Sequence, residues 1–151
     1  MAIRTLNLRE LNRATLARQM LLKREKLSVP AAVERLAGMQ AQLASATFVG
    51  LWTRLENFKR EDLAKEIEDR KIIKATLMRA TLHLFTADDL LRFRTTLQPV
   101  LSGAGEAIAK QRGSDFDQEK LLKAARKFIA EQPRTFAEIS EMVAELMPGQ
   151  D

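Results

Sequence analysis

The short stretch from Gly38 to Gln42 reads GMQAQ and places two glutamines one residue apart after an apolar segment. A neutral amide cannot take a proton near pH 7, so a glutamine pair is a poor general base. Two side-chain carbonyl oxygens can still accept the hydrogens of one water molecule and orient it for attack. Gln40 and Gln42 are therefore candidates for positioning a nucleophilic water.

Whether the two amides converge depends on where the preceding helix ends. Residues two apart point to nearly opposite sides of a helix, but they share one face of an extended segment. A helix that begins near Pro30 is expected to end near Gly38, because glycine commonly follows the last helical residue. Residues 40–42 would then be extended, with both amides on one side and Ala41 turned to the core. If the helix continued through Gln42, the pair would diverge.

Cysteine is absent and His83 is the one histidine. The chain therefore has no disulfide, thiolate metal site or cysteine nucleophile, and a zinc site built from His and Cys is impossible. A hydrolytic triad would have to run through His83 with no other histidine available.

Neither the N-terminus nor the longest uncharged run predicts a membrane or secretory protein. MAIRTLNLRE lacks the apolar core of a secretory signal, and the uncharged residues 36–53 include two glutamines, one serine and two threonines. With 46% hydrophobic and 30% charged residues among 151, the composition is that of a folded globular chain. A cytoplasmic protein with no membrane partner is expected.

The net charge of +5 is unevenly distributed. Residues 1–24 hold six basic residues and one acidic residue, whereas residues 131–151 hold one basic residue and five acidic ones. This asymmetry is compatible with a basic face for phosphate, and equally with solvated charged helices.

Cap signatures and apolar spacing predict a mainly α-helical chain with one β-hairpin. Asn7 with Glu10 opens a first helix to about Lys23 or Arg24. Three further helices are expected at 30–38, 45–55 and 59–70, followed by a hairpin over Ile72–Thr86. Helices then follow from Thr86 to about Leu101 and on to Lys110, from about 116 to 132 after a loop at 112–115 with a cap signature at Ser114, and from Thr135 onward.

The hairpin assignment depends on β-branched residues that alternate with a period of two. Ile73, Ala75 and Leu77 would share one face of the first strand, and Leu82 and Leu84 one face of the return strand. The turn is expected within Met78–Ala80, although no Gly or Asn marks it. His83 should face away from the side of Leu82 and Leu84.

Helices followed by a hairpin after a short polar helix are the order of a winged helix, a helix-turn-helix with a strand pair beside it. Residues 1–111 are predicted to form a first winged-helix domain with a trailing helix. Residues 112–151 would be helices of an incomplete second winged-helix unit, because no hairpin follows them. We therefore expect a fragment of a longer protein, or a short form without its second wing.

The strings LAGMQAQ, VGLWTRL and LMRATLHLFTADD resemble the winged-helix DNA-binding family that contains the AlkZ-like DNA glycosylases. The resemblance runs from about Leu11 to Leu101, whereas the C-terminal third matches only as a helical layout. It implies excision of N7-alkylated purines, including one arm of an interstrand crosslink, with Gln40 and Gln42 as the catalytic pair. Other members carry acidic or histidine-containing variants, and many have no assigned activity. Ala80 departs from the family, where a glycine is expected after the hairpin arginine.

The resemblance also implies a double-stranded DNA partner, a nucleoid-associated location and a hydrolytic mechanism without metal, cofactor or covalent lysine intermediate. Six residues are candidate DNA contacts: Arg79 at the hairpin tip, His83, Lys71, Lys74, Arg13 and Arg54. Simple solvation is the alternative for the two lysines. For His83, DNA contact or active-site support is weighed against the role of an ordinary hydrogen-bonded residue that is exposed or partly buried. Arg54 should emerge toward solvent. Trp52 is expected to anchor the core, with base stacking as the alternative.

Three functions remain open on the sequence alone. The first is a DNA glycosylase or its N-terminal part, which requires the glutamine pair beside the hairpin. The second is a non-catalytic winged-helix DNA-binding protein, such as a regulator. The third is a protein-interaction module with negligible DNA affinity even at low salt.

Overall fold

The structure is a computed structural model that describes residues 5–112 and 117–148. Helices dominate it, and one small antiparallel sheet completes it. In chain order the elements are α1 (Leu8–Arg18), α2 (Val29–Arg35), β1 (Met39–Gln40), α3 (Ala44–Trp52), α4 (Arg60–Glu68), β2 (Ile72–Thr76), β3 (Leu82–Thr86), α5 (Ala87–Arg112), α6 (Gln118–Glu131) and α7 (Phe136–Leu146). The mainly α fold class with one hairpin is confirmed.

The chain divides into two compact units, Met1–Gly103 and Ala104–Asp151. The proposed boundary near residue 111 and the assignment of each part to a winged-helix unit stay predictions. The first unit contains the whole sheet and the glutamine pair. In the second, α6 packs against α7.

The first helix begins as predicted but ends five or six residues early. The Glu10 N–H donates to Asn7 Oδ1 at 2.9 Å, and the Asn7 N–H donates to Glu10 Oε2 at 3.0 Å, which forms a capping box. The helix ends at Arg18, and Met20 takes a positive φ of 54° that turns its side chain into the core, where it is 1% exposed. None of the eleven residues of α1 is buried.

The prediction that α5 weakens near Leu101 is wrong. The helix continues through Pro99 and Gly103 to Arg112. A proline removes one backbone donor and a helical glycine costs about 1 kcal/mol, and a long helix can tolerate both. The Asp89 N–H donates to Thr86 Oγ1 at 3.2 Å at the predicted start. Of the predicted loop at 112–115, residues 113–115, with the Ser114 cap, lie outside the described residues.

The hairpin and its turn are confirmed. Strands β2 and β3 pair antiparallel from Ile72↔Thr86 to Thr76↔Leu82, and a single 3-10 turn spans Met78–Ala80. Arg79 and Ala80 both take left-handed backbone angles, with φ of 53° and 54°. A glycine would adopt these angles without steric cost, which is the physical meaning of the family's expected glycine at position 80.

A third strand, β1, joins the sheet beside β3, and the strand order is β1-β3-β2. One face carries Met39, Ile72 and Leu84, which pack in the main core together with residues of α2 and α4 such as Val33 and Leu63. The other face carries His83 and the fully buried Phe85, whose ring meets Phe93 of α5 edge to face at 6.2 Å. The first face thus packs on helices, Phe93 of α5 contacts Phe85 on the second face, and the central strand is β3.

Candidate functional site

The glutamine pair lies where the chain changes from helix α2 to strand β1. Ala37 and Gly38 make this change with positive φ angles of 53° and 102°, and the Gly38 N–H donates to Val33 O at 3.0 Å. A Cβ added at Gly38 would lie 2.5 Å from Cε1 of the buried Phe85 ring. Glycine is therefore required both by the backbone angle and by the close approach of the ring.

The expected end of the helix before the pair is confirmed. Gln40 lies in β1 opposite His83, and the Ala41 N–H continues the ladder by donating to Leu82 O at 2.7 Å. Ala41 is 1% exposed, so it points into the core as predicted, while both glutamines are exposed. The chain bends from Gln42 onward. The catalytic role of the two residues stays a prediction.

Gln42 is fixed by a hydrogen bond to the central strand. The Leu82 N–H donates to Gln42 Oε1 at 2.8 Å, so the side chain occupies the place where a backbone carbonyl of β1 would otherwise pair. The oxygen is the acceptor of a glutamine amide and the NH₂ group only donates, so this bond orients the amide with its NH₂ group directed away from the ladder. Local sequence gives no signal for this contact, because the two residues are 40 positions apart.

His83 lies on the same face of the sheet as Gln40, since directly paired residues of antiparallel strands share a face. That is the face opposite Leu84, as predicted. The side chain is 6% exposed, and Nδ1 lies 3.0 Å from Thr81 O and 3.4 Å from Thr81 Oγ1. The expectation of a hydrogen-bonded strand histidine is confirmed, and its contact with DNA stays a prediction.

The cationic candidates at the hairpin differ in how free they are. Arg79 is exposed at the turn, and Lys74 is exposed on β2. Lys74 pairs with Leu84, so it projects from the face opposite Gln40. Lys71 lies 3.3 Å from Asp69 and 3.4 Å from Glu66, and its hydrogen bond to Asp69, followed by the Glu66 charge, raises the pKa of its ammonium. Its charge is already balanced locally.

Two predictions about side chains near α3 are wrong. Arg54 does not emerge toward solvent: it is half-buried, its Nε donates to Gln19 O at 2.9 Å, and its Nη1 donates to Gly50 O at 2.8 Å. Burial lowers the pKa of Arg54. Trp52 is not a core anchor, because it is 53% exposed with the Arg24 guanidinium 4.1 Å from its ring centre. Thr47 and Leu51 are the buried residues of α3.

Arg13 lies exposed on α1, within the basic stretch that the sequence singled out. Across residues 5–112 and 117–148, no cluster of three or more His, Asp or Glu side chains is arranged to hold a metal ion. No helix in the described part of the chain is long and apolar enough to cross a membrane.

Comparison with known proteins identifies the family of this chain. The family model described as DNA glycosylase AlkZ-like matches residues 33–151, and the chain belongs to that family. Among solved structures it is similar to the DNA glycosylase AlkZ of Streptomyces sahachiroi, with 35% sequence identity and a TM-score of 0.44. That match covers 47% of this chain and 19% of the AlkZ chain. No curated protein sequence matches.

Proposed function

We propose that this chain is a DNA glycosylase, or its N-terminal part, that hydrolyses the N-glycosidic bond of N7-alkylated purines or of interstrand crosslinks. Gln40 and Gln42 position the attacking water. The observation that carries the proposal is the pair itself, exposed at the end of β1 and joined to the central strand by the Leu82 hydrogen bond. Membership of the AlkZ-like family supports the reaction class.

The residue type fits this substrate class. Alkylation at N7 gives the purine a positive charge, which weakens the bond from N9 to the sugar before the enzyme acts. Orienting a water at the sugar carbon then supplies much of the remaining acceleration, and a strong base is less necessary. Gln40 Oε1 accepts one water hydrogen, and the Gln42 NH₂ group donates to the water or to the sugar-phosphate backbone beside it.

We assign residues 1–111 to a winged-helix domain with a trailing helix, whose wing is the β2–β3 hairpin, and the helices of residues 112–151 to an incomplete second unit. The strand order β1-β3-β2, with α3 and α4 between β1 and β2, supports the first assignment. Arg79 contacts the DNA backbone or groove from the tip of the wing, with Lys74 and Arg13 as further phosphate contacts. Arg54 is left out because its guanidinium serves backbone carbonyls.

Helix α4 is a poor candidate for insertion into the major groove. In a helix-turn-helix the second helix enters the groove, where phosphates flank it. Residues 60–69 carry five acidic residues and two basic ones. The net negative charge of residues 60–69 disfavours the approach of α4 to the phosphates. The wing is therefore the better candidate for contact with DNA.

Base release tests the proposal directly. A duplex with a single N7-methylguanine is incubated with this chain, and with the longest natural protein that contains it, each beside Gln40→Ala and Gln42→Ala variants. We expect release that both substitutions abolish while duplex binding is retained. Release that survives both substitutions would contradict the water-positioning role.

A non-catalytic DNA-binding protein is the second candidate, because the exposed Arg79 and the basic residues 1–24 would serve binding alone. It predicts that the unchanged protein holds the duplex without releasing the base. A protein-interaction module predicts no duplex binding even at low salt. The same experiment therefore separates all three functions.

A further inference from the structure

The hydrogen bonds of His83 define which ring nitrogen carries the proton. Thr81 O can only accept, so the Nδ1 atom 3.0 Å away must donate. Thr81 Oγ1 donates its own hydrogen to Met78 O at 3.1 Å and can only accept from Nδ1 as well. In the neutral ring, Nε2 is therefore left with a free lone pair.

The His83 ring is almost completely buried, but its Nε2 atom is not fully enclosed. Within the described residues, Glu66 Oε2 is the buried side-chain nitrogen or oxygen that lacks a hydrogen-bond partner, at 3.4 Å from the Lys71 ammonium in an ion pair. His83 Nε2 also has no hydrogen-bond partner among the described residues. Because it is nevertheless not one of the fully buried atoms without a partner, Nε2 must be partly exposed. The ring packs against Phe85 with centroids 5.6 Å apart, which holds its orientation.

Gln40 and His83 are neighbours on one face of the sheet, which puts a water at Nε2 within reach of the Gln40 amide. The two residues are directly paired on β1 and β3, and paired residues have Cβ atoms about 4.5–5.5 Å apart on one face. The Gln40 side chain is exposed and has no hydrogen bond within residues 5–112 and 117–148, so its amide is free to turn toward such a water.

The glutamine pair can orient the attacking water but offers no acceptor for the proton that this water loses. A water that attacks through its lone pair has two hydrogens to place, and one of them must leave as a proton. Gln42 Oε1 already accepts the Leu82 N–H at 2.8 Å, and no amide oxygen is basic enough to keep a proton. An acceptor beside Gln40 that can be protonated would take this proton directly and speed the step.

We propose that His83 Nε2 is this acceptor and acts as the general base of the hydrolysis. The water oxygen forms a bond to the sugar C1′, and the bond from C1′ to N9 breaks with its electron pair going to N9, which neutralises the purinium. One water proton passes to Nε2, and the resulting imidazolium returns it to solvent. Gln40 Oε1 holds the other hydrogen. This inference rests on the proposed function and adds a catalytic residue to it.

The test compares His83→Asn and His83→Ala with the unchanged protein on the N7-methylguanine duplex. The Asn amide can replace Nδ1 as donor to Thr81 O but has no atom at the position of Nε2, so it controls for the structural role. We expect the single-turnover rate of base release to fall about 100-fold in both variants. The dissociation constant for the duplex and the unfolding midpoint of His83→Asn should stay close to those of the unchanged protein.

Chemical rescue separates a base from a packing residue. Added imidazole should restore release by His83→Ala in proportion to the concentration of its free base, with the duplex and imidazole alone as the control. His83→Gln, which offers an amide near Nε2 but no base, should stay slow, and it replaces His83→Asn if that variant fails to fold.

The outcomes that overturn the inference differ from those that overturn the proposed function. Release by His83→Asn at the unchanged rate, or slow variants that imidazole does not rescue, removes the base role and leaves the glutamine mechanism intact. No release by the unchanged protein that nonetheless binds the duplex overturns the proposed function, and the inference with it.

Discussion

Replacing Gly38 with alanine should destabilise the protein more than a single added methyl group normally does. The backbone there has φ of 102°, and a non-glycine residue in the left-handed region costs about 1–2 kcal/mol. The new Cβ would also lie 2.5, 2.9 and 3.0 Å from three atoms of the Phe85 ring. Overpacking of a core adds about 1–3 kcal/mol, so we expect a loss of about 2–5 kcal/mol.

The Phe85 ring cannot simply move away. It is fully buried and lies between Phe93 and His83 at centroid distances of 6.2 and 5.6 Å. Urea denaturation measures the effect, followed by circular dichroism and by the fluorescence of Trp52, the single tryptophan. An unchanged midpoint for Gly38→Ala would refute the reasoning from backbone angle and ring contact.

The matched control is the same substitution at Gly103, where an added Cβ meets no atom within 4 Å. Gly103 lies inside α5, so alanine there should stabilise the helix by about 0.5–1 kcal/mol. The two glycine substitutions are expected to change the free energy of unfolding in opposite directions. Equal changes in the free energy of unfolding would show that losing any glycine has the same effect, whatever the local geometry.

Three further predictions concern the turn, the glutamine pair and the second unit. Ala80→Gly should raise the free energy of unfolding by about 1 kcal/mol, measured by urea denaturation, because it relieves a left-handed alanine. Gln42→Met, which keeps length but loses the acceptor for the Leu82 N–H, should lower it by about 1 kcal/mol in the same assay, and no change would contradict the ladder role. Hydrogen bonds from the backbone and then the side chain of Thr135 lower the pKa of Glu138, so its contribution is present above the ordinary value of 4.5 and lost as pH falls through the lower, folded pKa. Acid titration followed by circular dichroism should show a smaller loss of helix in Glu138→Gln than in the unchanged chain.

Local signals were enough to predict several parts of the fold. The Asn7 capping box, the hairpin with its turn and the helix end before Gln40 each depend on residues a few positions apart, and all three are confirmed. Such features depend on cap residues and on the spacing of apolar side chains, and both can be recognised in the sequence itself.

Contacts between distant segments could not be predicted in the same way. An apolar stripe on α3 does not say which of its members face the core, and Trp52 proved to be outside. Arg54 bonds to Gln19 O, 35 positions away, and Gln42 bonds to Leu82, 40 positions away. The sequence located the candidate site, whereas the direction of its amides depends on tertiary pairing with β3.

Helix α1 has a capping box but buries none of its residues. Little tertiary packing therefore opposes its local opening. Isolated helices shorter than about 12–15 residues are marginal in water, and α1 has eleven residues. Its amide hydrogens should therefore exchange with deuterium by local fraying, long before those of β3, which is bonded on both sides. Trypsin should likewise cleave α1, at the exposed Arg9, Arg13 and Arg18, faster than it cleaves the sheet. We expect a nick within α1 to leave the sheet, and Gln40 on it, folded.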